Sequence, residues 1–106
     1  MPKYLITATY TIEGARGLQK EGGTGRRDAV AKMIQATGGK LESFYFGFGE
    51  ADVYAFVDLP DTTTALATSI AINSSGAVRL AMTPLITPDE MDQACKKSVG
   101  YRPPGK

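Results

Sequence analysis

The sequence predicts an α+β domain of four antiparallel strands carrying two helices on one face, in the order β-α-β-β-α-β. Three observations lead there. Four segments rich in β-branched and aromatic residues read as strands, the first with clear period-two alternation. Helical periodicity separates the first from the second and the third from the fourth. A short glycine-flanked turn joins the middle pair.

From about Lys3 to Thr11, Tyr4, Ile6, Ala8 and Tyr10 alternate with Leu5, Thr7 and Thr9 as a first strand. Thr11 to Gly25 carries glycines at 14, 17, 22, 23 and 25 and reads as a loop, with at most a short helical turn around Ala15 to Gln19. From about Arg26, Val30, Met33, Ile34 and Thr37 fall on one helical face; Thr24 is a candidate N-cap and Gly38-Gly39 a left-handed stop. Residues 40–48 and 52–59 form a hairpin across Gly49-Glu50-Ala51. Pro60-Asp61 opens a helix with Leu66 and Ile70 on one side, ending near Asn73 to Gly76. A fourth strand covers about Ala77 to Ile86. Thr87-Pro88-Asp89-Glu90 combines a capping-box pattern with proline at the first helical position, so a last short helix covers about Pro88 to Lys97. Residues 1–97 then make one domain and 98–106 a tail. The order matches the ferredoxin-like arrangement.

The 106 residues include 12 Lys+Arg against 11 Asp+Glu, one cysteine and no histidine or tryptophan. Without histidine, Ser-His-Asp and Cys-His catalysis cannot be assembled, and a single thiol cannot supply the donors of a zinc site. No motif calls for a cofactor. A net charge of +1 gives no bulk attraction for polyanions. The basic pairs Arg26-Arg27 and Lys96-Lys97 each have aspartate nearby and read as solvated faces, so neither nucleic acid nor membrane is expected as a partner. Cys95 has no partner for an intrachain disulfide. With no long apolar run and no signal-type start, the expected location is cytoplasmic.

Two helices can cover only one face of such a sheet. With a two- or four-residue hairpin loop, Phe44, Phe46 and Phe48 share a face with Val53, Ala55 and Val57, under the helices. Tyr45 then joins Asp52, Tyr54 and Phe56 on the opposite face; a three-residue loop would mix the sets. An aromatic second face calls for a partner sheet or a ligand.

Candidate chemistry follows from these placements. Glu50 and Asp52, two apart at the hairpin, could share a proton or bind a hard cation, or simply fill turn positions. Asp52, if it projects into the second face, is the candidate catalytic base. Tyr4, Tyr10, Tyr45 and Tyr54 could line a cavity or a subunit interface, with Tyr45 and Tyr54 the candidate ligand contacts. Arg79, between Val78 and Leu80, is expected either to pair with Asp52 or Asp58 or to hold a ligand anion. Gly22-Gly23-Thr24-Gly25 ahead of a helix lacks the Gly-Lys-Ser/Thr ending of a phosphate loop, so it reads as flexible; Arg26 and Arg27 would be its anion contacts.

The segment Gly49-Glu50-Ala51-Asp52-Val53-Tyr54-Ala55-Phe56-Val57-Asp58-Leu59-Pro60-Asp61 resembles the signature of the GYD domain family. Supporting matches are Tyr4, the Thr11 to Gly14 segment, Arg27, Gly38-Gly39-Lys40 and Thr87-Pro88-Asp89-Glu90-Met91, together covering about residues 3–92. The resemblance implies a ferredoxin-like domain that assembles as a dimer or larger oligomer, of the dimeric α+β barrel type, and it implies no settled activity. Ala51 stands where the tyrosine of the Gly-Tyr-Asp triplet is expected, so a ligand site using that tyrosine is altered here.

Two functions are compatible with these features. One is a homo-oligomeric assembly or binding module for a small anionic or aromatic metabolite. The other is a cofactor-independent monooxygenase, isomerase or decarboxylase, with Asp52, a tyrosine and Arg79 moving protons and stabilising an oxyanion.

Overall fold

The structure is a computed structural model describing all 106 residues. β1 (Lys3–Tyr10), β2 (Lys40–Phe46), β3 (Val53–Asp58) and β4 (Val78–Leu85) form one antiparallel sheet in the order β2-β3-β1-β4. α1 (Ile12–Ala36) and α2 (Thr62–Asn73) pack on one face, giving the ferredoxin-like arrangement; α3 (Pro88–Lys96) follows β4. The inward residues of the two central strands are the most deeply buried. Tyr4, Ile6, Ala55 and Val57 join Ile34 of α1, Ala65 of α2 and Leu59 in one apolar cluster.

The hairpin register settles which side chains share a face. Phe46 pairs with Val53, and the Gly47 N–H donates to the Asp52 carbonyl at 2.9 Å, which leaves the four-residue loop Phe48–Ala51. Phe44 and Phe46 therefore face the helices, their rings edge to face at 5.1 Å. Tyr45 lies opposite Tyr54 on the other face. Phe48 departs from expectation: β2 ends at Phe46, so its side chain sits on the loop fully exposed. A register irregularity between Leu41 and Ser43 lets Leu41 pack on the core while Ser43 sits opposite Phe56.

The stretch from Thr11 to Gly25 is not a loop. Thr11, rather than Thr24, is the N-cap of α1: its hydroxyl accepts from the Gly14 N–H at 3.2 Å. Helix formers from Ala15 to Glu21 then carry the chain through Gly14 and Gly17. Only Gly22, at φ 80°, leaves helical geometry, and it joins two helical segments at a kink. Gly14 serves packing, because a Cβ there would lie 1.9 Å from the Ala77 carbonyl oxygen.

α2 begins at Asp61, whose carboxylate accepts from the Thr64 N–H at 2.7 Å; that bond holds its pKa below the ordinary 3.8. At the other end, Asn73 bonds the backbone of Leu80 in both directions, at 2.7 and 3.0 Å, and so covers part of the free edge of β4. Pro84 is accommodated because β4 is an edge strand. α3 carries the expected capping box between Thr87 and Glu90. It buries none of its residues, and the whole stretch 86–106 is exposed. No helix is long and apolar enough to cross a membrane.

Little of this chain is covered by itself. Its accessible surface is 7607 Å², whereas a compact monomer of 11.3 kDa exposes about 5,700 Å². The radius of gyration, 16.9 Å, likewise exceeds the roughly 13 Å of a compact chain of this length.

Candidate functional site

Two concave regions lie on opposite sides of the sheet. The more enclosed one, a half-open cavity of about 380 Å³, is bounded by the sheet, the second segment of α1 and the end of α2. Its existence follows from side-chain size. Ala8 and Ala55 occupy inward positions on the central strands, and Ala71 faces the same space from α2. Larger neighbours, Val30, Met33 and Phe44 among them, stand around these alanines without filling the gap they leave. Thirteen of the fifteen lining residues are hydrophobic, and the two exceptions are Arg26 and Ser75.

The polar groups gather at the end of β1. Tyr10 is the last residue of that strand, and Arg26 lies one turn beyond the Gly22 kink; both line the cavity and also a neighbouring groove that contains Glu21. Burial pushes the Tyr10 phenol above its ordinary 10.0; the Arg26 charge opposes the rise, while Asp52 and Glu21 add to it. The phenol therefore stays protonated near neutral pH and can donate a hydrogen bond. The Arg26 guanidinium has one ionic partner, Glu21, at 3.4 Å.

The second region is a broad, open depression of about 690 Å³ reaching the uncovered sheet face, lined by Thr7, Thr9, Glu50, Tyr54 and Arg79 among others. Around it that face presents Leu5, Tyr45, Phe56, Ala81 and Leu85. Lys3 marks its far end, paired with Asp58 at 3.1 Å and with Glu42.

The residues singled out from the sequence therefore divide among several places. Tyr54 and Arg79 meet at the open depression, and Tyr45 pairs across the strand with Tyr54. Arg26 belongs to the half-open cavity. Arg27 is exposed and bonds its neighbour Asp28 at 3.0 Å. Asp52 bends one carboxylate oxygen to β1: its Oδ2 accepts from the Tyr10 N–H at 2.9 Å, and its own N–H donates to the Ala8 carbonyl at 2.8 Å. The carboxylate thus prolongs the β1–β3 ladder by one bond, while Glu50 lines the depression. Arg79 is exposed and pairs with neither Asp52 nor Asp58, because Asp52 is turned to β1 and Asp58 is held by Lys3. No three Asp, Glu or Cys side chains come together in metal-binding geometry.

Of the four tyrosines considered together, Tyr4 is buried in the core, Tyr45 and Tyr54 belong to the open face, and Tyr10 reaches the half-open cavity. Its proximity to Arg26 is tertiary. The available sequence signal is the small residue at inward positions 8 and 55.

The family model of the GYD domain matches residues 4–95, most of the chain. No curated protein and no solved structure matches it.

Proposed function

The chain belongs to the GYD domain family, and we propose that it acts as a homo-oligomeric small-molecule-binding module whose copies meet through the uncovered sheet face. One observation carries the reading: a whole face of the sheet, bearing Leu5, Tyr45, Tyr54, Phe56 and Leu85, is left without cover, because α1 and α2 both pack on the other face and α3 buries none of its residues. The exposed thiol of Cys95 suits a reducing, cytoplasmic setting.

Sedimentation velocity at micromolar concentration tests the assembly. The expected species is a dimer or larger. Phe56→Glu places a charge in the middle of the uncovered face and is expected to release folded monomers. A wild-type chain that sediments as a stable monomer overturns the proposal. Catalysis as a cofactor-independent monooxygenase, isomerase or decarboxylase is the weaker alternative, since its intended base, Asp52, is engaged by the Tyr10 N–H.

A further inference from the structure

We propose that the half-open cavity between the sheet and the two helices is a binding site for a small apolar monoanion, its ring or short chain lying over Ala8 and Ala55 and its anionic group held by Arg26 and the Tyr10 hydroxyl. This rests on the small-molecule half of the function proposed above and is independent of the assembly half.

The cavity's volume of about 380 Å³, on the core side of the sheet, falls within the range of small-molecule sites. The alanine floor and the walls of Val30, Met33 and Phe44 offer an apolar body no hydrogen-bonding partner over most of its surface.

The polar groups then define the rest of the ligand. Ser75 is already committed, donating to the Ile72 carbonyl at 2.7 Å and accepting from the Ala77 N–H at 3.2 Å. Tyr10 uses its backbone N–H on Asp52, while its hydroxyl has no partner within the chain. Arg26 spends one contact on Glu21 and keeps further guanidinium donors. No carboxylate lines the cavity. A phenol and a guanidinium beside an apolar chamber are complementary to one carboxylate, sulfonate or phenolate. A cation would meet Arg26, and a dianion would leave one charge in apolar surroundings.

The test is isothermal titration of the full chain with two matched pairs, 1-naphthoate against 1-naphthylmethanol and octanoate against octanol. The anion of at least one pair is expected to bind about tenfold or more tighter than its alcohol. Arg26→Gln is expected to erase that preference while leaving the alcohol's affinity in place. Ala8→Ile fills the floor with a residue suited to a strand and is expected to abolish binding of both ligands. Ala71→Phe, at the more exposed α2 wall, makes the same test should Ala8→Ile not fold.

The site is overturned if neither pair binds below millimolar concentration, if wild type shows no preference for either anion, or if Arg26→Gln retains it. Binding that survives both blocking variants, in folded protein, overturns it equally. The two proposals fail separately: an oligomer that binds no anion loses the site and keeps the assembly, and a monomer that binds one does the reverse.

Discussion

The two faces of the sheet come from the same four strands and the same alternation, yet they meet different surroundings. Toward the helices, Tyr4, Ile6, Val53, Ala55 and Val57 are each at most 5% exposed. On the other face, Tyr54 and Phe56 are only partly covered and Tyr45 is 65% exposed. Aromatic content does not separate them, since Phe44 and Phe46 stand on one face and Tyr45, Tyr54 and Phe56 on the other. What separates them is the supply of cover: α1 and α2 both go to the first face, while α3 buries nothing. Apolar character therefore marks surfaces that exclude water, and topology decides whether the same chain does the excluding.

The largest expected effect tests the covered face. Ile34 is fully buried, and Ile34→Ala is expected to cost about 2–5 kcal/mol in urea unfolding. Tyr45→Ala on the opposite face should change protomer stability by no more than about 0.5 kcal/mol, measured where the chain is monomeric. Equal losses at the two positions would break the contrast between the faces.

Asp52 joins the central strands at their end. Asp52→Ala removes the acceptor of the Tyr10 N–H and is expected to cost about 1–2 kcal/mol. Asp52→Asn should recover most of it, because an amide oxygen can accept the same bond. An Asp52→Asn chain as unstable as Asp52→Ala would show that charge, rather than the extra ladder bond, is what matters there.

The pH dependence gives two smaller effects of opposite sense. The Tyr10 phenol titrates above 10.0 in the folded state, so the native chain holds that proton more tightly than the unfolded one. Stability from this group is intact below about pH 10 and falls as pH rises through the folded value. Tyr10→Phe should remove this alkaline loss from a series of urea midpoints. Asp61 titrates below 3.8. Its contribution is present above that value and lost as pH falls through the lower, folded one, so Asp61→Ala should flatten the acid limb of the same series slightly.

The strands, α2 and α3 are legible in the sequence because their signals are local: alternation, a capping aspartate, a capping box. The first segment of α1 is not. Five glycines in fifteen residues look like a loop, but Gly14 answers to a strand more than sixty residues away and Gly17 is tolerated by the helix formers around it. The faces of the hairpin follow from loop parity, and Phe48 escapes that rule because it belongs to the loop. Site residues are legible only as types. Arg26 can be named from its place ahead of a helical run, but the cavity that gives it a use depends on how Ala8, Ala55 and Ala71 converge in space. Asp52 is conspicuous in the sequence for its position beside a turn, and its partner is a backbone N–H that sequence does not display.

The contact that hid α1 from the sequence also bears on the order in which the molecule is made. The Thr11 N–H donates to the Ala77 carbonyl and the Thr11 hydroxyl to the Gly76 carbonyl, while Gly14 lies flush against Ala77. These bonds close a span of more than sixty residues, and local helix propensity cannot form them early. The start of α1 can coil by itself, but it is fixed in place only after β4 has joined β1. Mutations at Thr11 or Gly14 should therefore act chiefly on the rate at which the finished protein opens, and leave the rate at which the chain first collapses nearly unchanged.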